Sequence, residues 1–186
     1  MKRRVFYSAI AITLFCALMG FSADKFRAGL EAGYFAPNDE DFTNIYGSAG
    51  FAFGINCGYF ISNNAEIYAA LDFYGAEGKT TISEQTVNLN LTSLRAGGLY
   101  VFCLGDFKPI IGAGLSITFA NEDNPWGGFN DNGLGWYITA GVEYPLTEKL
   151  IAGVEFIYND VKIAGDFGDE NVGGISALMT LKMNIF

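Results

Sequence analysis

Apolar and polar residues alternate along this chain in eight segments, and the connections between them are long and short by turns. A period of two is the mark of strands whose two faces meet different surroundings. The segments read Arg27–Ala36, Tyr46–Phe60, Ala65–Gly75, Val87–Phe102, Pro109–Phe119, Gly133–Tyr144, Leu150–Asp160 and Val172–Phe186. A tilted strand of about 9–11 residues crosses a bilayer. Ser62-Asn63-Asn64, Gly105-Asp106 and Pro145–Lys149 make short turns, whereas polar stretches at Asn38–Asp41, Glu77–Gln85, Asn121–Asn132 and Gly165–Asn171 make long ones. The pattern predicts an all-β fold, an eight-stranded antiparallel up-and-down transmembrane β-barrel. Its long connections share one end, and its short turns and both termini share the other.

The parities divide the residues between wall and lumen. Phe51, Phe53, Ile55 and Tyr59 oppose Gly50, Ala52, Gly54 and Gly58, and Leu134, Trp136, Ile138 and Val142 oppose Gly135, Thr139, Gly141 and Glu143. The apolar parity carries too many large rings for the lumen of eight strands, which just holds side chains, so it is expected to face lipid. Aromatic girdles are expected from Tyr34, Tyr46, Tyr74, Phe119, Trp136 and Tyr158 at the long-loop end, and from Tyr59, Phe102, Tyr144 and Phe186 at the other. In the fourth segment Val87, Leu89 and Leu91 have one parity and Leu94, Ala96, Tyr100 and Phe102 the other. A bulge near Thr92-Ser93 would reconcile them and turn Arg95 inward.

The N-terminus changes the picture. Lys2, Arg3 and Arg4 precede an apolar run from Val5 to about Met19, with small residues at Gly20 and Ser22. Residues 1–23 are expected to be a cleavable signal peptide, and residues 24–186 the barrel domain. The remaining chain carries eight basic and twenty acidic side chains, a net charge of −12, which gives it no electrostatic reason to bind nucleic acid. The four long loops hold nearly all of that charge: Asp39, Glu40, Asp41, Glu77, Glu84, Glu122, Asp123, Asp131, Asp166, Asp169 and Glu170 against Lys79. Cys57 and Cys103 fall on strands separated by another strand, too far apart to bridge, and are expected as thiols.

Candidate chemistry is confined to lumen and loops. The inward parity takes Arg27, Glu31, Glu66, Asp72, Arg95, Glu143, Glu155 and Lys182. Charges facing lipid would cost about 2–4 kcal/mol near the midplane, so these residues are expected to form either a paired network filling the lumen or a pore lining. Paired among themselves, five acids and three bases leave two carboxylates for amides, hydroxyls or water. The chain contains no histidine, which removes Ser-His dyads and triads, and no enzyme is expected. Glu122-Asp123-Asn124 and Asp166–Glu170 offer hard oxygen ligands but match no defined calcium loop. They read as solvated loops, and no metal or cofactor is expected. Trp126 and Phe129 place aromatics in a long loop, where they would meet a surface partner or pack locally.

On its signal, strand count, loop alternation and terminal Phe186, the chain resembles the small eight-stranded outer-membrane barrels of the OmpX/OmpA-barrel type over about residues 25–186. The resemblance implies a Gram-negative-type outer membrane, export through the periplasm, and insertion by the barrel-assembly machinery. It also implies periplasmic short turns, extracellular long loops, and lipid and lipopolysaccharide as surroundings. In that family the terminal aromatic shares its face with apolar residues upstream. Here the apolar set is Ile175, Ala177, Met179, Leu181, Met183 and Ile185, off by one, which would set Phe186 beyond a local kink. The expected function is envelope structure or surface contact, adhesion included, through acidic extracellular loops. The alternative is a narrow pore or carrier for small solutes.

Overall fold

The computed structural model describes residues 25–79, 86–123, 129–165 and 168–185. The elements in chain order are β1 (Phe26–Pro37), α1 (Glu40–Tyr46), β2 (Gly50–Phe60), β3 (Ala65–Lys79), β4 (Thr86–Val101), β5 (Lys108–Asp123), β6 (Phe129–Pro145), β7 (Leu150–Gly165), β8 (Gly168–Asn171) and β9 (Gly174–Ile185). Neighbours pair antiparallel throughout, and β1 closes on β9. β8 and β9 pair with β7 in one register, and the Val172 amide between them donates to the Val161 carbonyl at 3.0 Å. They are one strand of the wall, which therefore has eight. No helix among the described residues is long and apolar enough to cross a membrane.

The pairing also sets the tilt. Stepping across the ladders from Arg27 leads through Gly58, Tyr68, Gly97, Gly114, Tyr137, Asn159 and Gly174, and returns to β1 at Pro37. That ten-residue offset is the stagger of an eight-stranded barrel whose strands lean about 40° from its axis. Gly97 and Gly114 stand directly opposite each other on β4 and β5. A Cβ on either would meet the other's Cα at 2.7 Å and the Tyr137 side chain at 2.7–2.8 Å. Their bare backbone makes the room that the inward Tyr137 ring fills.

The apolar parity faces outward, as its ring count requires. Leu30, Phe51, Phe53, Leu115, Trp136, Phe156 and Met179 are exposed on the wall. Tyr34, Phe119, Trp136 and Tyr158 lie at the long-loop end of this band, and the Trp136 and Tyr158 rings meet at a tilt, 5.5 Å between centroids. At the short-turn end Tyr100 packs on Phe102, and Phe107 on Tyr144, at 4.9 and 5.4 Å. Tyr74 and Tyr46 do not join the outer girdle. Tyr74 is on the inward parity, edge-on to Phe35 at 4.9 Å, and Tyr46 belongs to α1.

Three further expectations are corrected. First, β4 has no bulge: its ladders to β3 and β5 run without a register change through Thr92 and Ser93. Val87, Leu89 and Leu91 are buried on the same inward parity as Arg95. What changes is the solvent outside. Below Thr92 the outward residues Leu94, Ala96 and Tyr100 meet lipid, and above it Thr86, Asn88 and Asn90 meet water. Second, β3 to β7 continue past the apolar band, so Glu77, Lys79, Glu122, Asp123 and Asp131 sit on strands rather than in loops, as do Asp169 and Glu170 on β8. Third, the first long connection holds α1. Asp39 caps it, its Oδ1 accepting from the Phe42 amide at 3.1 Å, and Gly47 ends it at φ +89°. Phe42 and Tyr46, one turn apart with rings 4.9 Å from each other, lie over the lumen.

Candidate functional site

The lumen is filled in two layers. Toward the long loops, Phe35, Tyr74, Leu89, Leu91, Ile157, Val161, Ile163, Val172 and Leu178 form an apolar plug, with Phe42 and Tyr46 of α1 packed on it from above. The Tyr46 hydroxyl donates to Glu122 on β5, tying the helix across the barrel mouth. An extended barrel that leaves the membrane inverts its logic. Its outside is wetted, so its inside becomes the apolar core.

Below the plug all eight inward charges predicted from the parity come together. Arg27 of β1 donates to Glu66 of β3, with a 2.6 Å bond from Nε and a second, shorter one from Nη2, and to Glu143 of β6 at 2.8 Å. Lys182 of β9 donates to Glu143 at 2.8 Å and to Glu155 of β7 at 2.5 Å. Arg95 of β4 donates to Asp72 of β3 and to Glu31 of β1, each at 2.6 Å. Every carboxylate reaches a cation, because each of the three cations bridges two strands' carboxylates. No carboxylate is left over for hydroxyls or water alone. Side chains of seven of the eight are nearly inaccessible, and Asp72 alone reaches 20%.

Tyr68 of β3 joins the two halves of the network. Its hydroxyl donates to Glu31 at 3.1 Å, and its ring lies 5.9 Å from the Arg95 guanidinium and 5.4 Å from Lys182 Nζ. Asn56 of β2 donates to Glu31 at 2.7 Å, Tyr137 faces Arg95 at 5.4 Å, and Phe60 faces Arg27 at 5.0 Å. The sequence reading, which gathered charges only, missed these four. The same parity carries the signal: Tyr68 lies two residues from Glu66, and Asn56 falls between Gly54 and Gly58.

Between network and plug lies a cavity of about 40 Å³, bordered by Asp72, Ser93, Arg95 and Asn159 below and Phe35, Tyr74 and Leu91 above. That is room for a few waters at most. Arg95 Nη1 and the Tyr74 hydroxyl are buried without a partner, so water there is the natural complement. Among the described residues no group of three or more acidic or cysteine side chains is placed to hold a metal ion. Neither Cys57 nor Cys103 forms a disulfide. Trp126 lies outside the described residues. Phe129 opens β6, pairing with Glu122, and its side chain is not described. Glu84, Asp166, Phe186 and the expected signal peptide 1–23 also lie outside.

A closed eight-stranded barrel with a lipid-facing apolar band and a charged interior is an outer-membrane architecture. The chain matches the family model of the outer membrane protein beta-barrel domain over residues 8–179, and it belongs to that family. Among solved structures, Neisserial surface protein A superposes with a TM-score of 0.66 at 21% identity, over 88% of this chain and 97% of that one. Outer membrane protein OprG from Pseudomonas aeruginosa superposes with a TM-score of 0.61 at 11% identity, over 86% and 96%. The N-terminal β-barrel domain of OprF from the same organism gives 0.53 at 20% identity, over 86% and 97%. At these identities the likeness is one of fold. A comparison with curated protein sequences returns no match. The family places this protein in the outer membrane.

Proposed function

We propose that the protein is a non-enzymatic outer-membrane barrel with a closed lumen, serving the envelope by structure or by surface contact at its long-loop end. The observation that carries this reading is the filled interior: six ion pairs in one layer and an apolar plug in the next. Such an interior stabilises a wall and leaves no aqueous path for a solute. Function then belongs to the outer end, where Glu40, Glu77 and Asp123 are exposed and where Trp126 and Phe129 are candidates for contact with a surface ligand. In this reading residues 1–23 direct export, the barrel-assembly machinery inserts the chain, and lipopolysaccharide surrounds its outer half.

The test is solute uptake by vesicles into which residues 24–186 have been refolded. The expected outcome is that small sugars and amino acids enter no faster than in protein-free vesicles. Uptake that scales with the amount of folded barrel would replace this reading with the carrier.

A further inference from the structure

Above the apolar band, the outward faces of β4, β5 and β6 form one asparagine-rich surface. Asn90 pairs with Asn121, and Asn121 with Asn130, so three amides stand in a row across three strands. Asn88 and Asn132 share this face, one pleat to either side. Gly75 extends the row on β3, and a Cβ there would lie 3.7 Å from Asn90 Oδ1, so its absence leaves that oxygen open. Below the row, Thr92 lies between Phe73 and Phe119, and the exposed Phe119 is paired with Asn132.

This composition is costly for a face that only meets water. Asparagine is depleted in strands, where threonine fits the pleat better. No hydrogen bond among the described residues engages the five side-chain amides, whereas the lumen amides Asn56 and Asn159 are both bonded. Each outward amide offers two donors and an acceptor without charge, the complement of paired sugar hydroxyls. The Phe119 ring supplies an apolar platform beside them. Glu77 and Asp123, one pleat further out, would repel phosphate.

Position selects the source of the sugar. With the strand rise and a tilt of about 40°, the five amides stand about 5–15 Å above the last lipid-facing residue of their own strands. That is the depth of membrane-anchored headgroups, on a surface continuous with the lipid-facing wall. We propose that this face binds the sugar headgroup of an outer-leaflet glycolipid, through amide-to-hydroxyl hydrogen bonds. The inference rests on the family's membrane location and is independent of whether the lumen is closed.

The test uses residues 24–186 refolded in micelles holding a neutral glucosyl-diacylglycerol and a phosphatidylcholine with the same acyl chains. Retained lipid is counted by native mass spectrometry. The wild type is expected to retain the glycolipid preferentially, and N90T/N121T/N130T to lose that preference by roughly tenfold. Lys162→Ala, an exposed cation on neighbouring β7, is expected to keep it, and excess methyl glucoside is expected not to displace it. Folding of each variant is checked by its heat-modifiable gel mobility, with N121T alone as the substitute should the triple variant not fold. No preference in the wild type, or equal preference in the variants, would overturn the proposal. Displacement by methyl glucoside would overturn it in favour of a soluble saccharide.

Discussion

Lys182 shows what a single residue does in this barrel. It is inaccessible, and its ammonium holds Glu143 and Glu155 together across β6 and β7. Lys182→Met fills similar volume but leaves the buried Glu155 carboxylate without its cation, while Glu143 keeps Arg27. Losing one partner of a buried pair costs about 3–5 kcal/mol, so the urea midpoint of the refolded barrel is expected to fall sharply. Adding Glu155→Gln is expected to recover part of the loss; no recovery would mean that packing, not charge, dominates there. Individual charges were legible because lipid forbids them on the outer face, so parity alone turned Arg27, Glu31 and Lys182 inward. Partner choice was not legible. It depends on the ten-residue stagger, which brings Glu143 within reach of both Arg27 and Lys182.

At the scale of the element, β4 carries the main lesson. Its change of parity read as a bulge because apolar was equated with outward along the whole strand. That holds only within lipid. Once a strand rises into water the apolar side chains belong inside, and Leu89 and Leu91 keep the parity of Arg95. Strand ends were underestimated for the same reason, since polar outward residues such as Glu77 and Asp123 looked like loop. α1 escaped notice because seven residues give too short a period, although Asp39 and Gly47 were its cap signals. The inversion has a measurable consequence. Leu30 is 63% exposed on β1 within the band, and Leu30→Lys is expected to cost about 2–4 kcal/mol, against about 0–1 for Asn90→Lys. Denaturant unfolding from vesicles checks the pair, and equal costs would mean that lipid reaches the asparagine row.

For the whole molecule, strand number, up-and-down order and residence in an outer membrane were legible, because a bilayer imposes segment length and alternation on every strand at once. The state of the lumen was not, because the same inward residues serve an ion network or a pore lining, and only their mutual distances decide. Those distances give six ion pairs under an apolar plug, with a cavity of about 40 Å³ between them. The most direct test of a closed lumen is single-channel recording of residues 24–186 refolded into a planar bilayer, with Lys182→Ala beside the wild type. The wild type is expected to be electrically silent at moderate voltage while its gel mobility shows it folded. Discrete conductance steps in the wild type, altered in the variant, would contradict the closed lumen and make the ion network the lining of a pore.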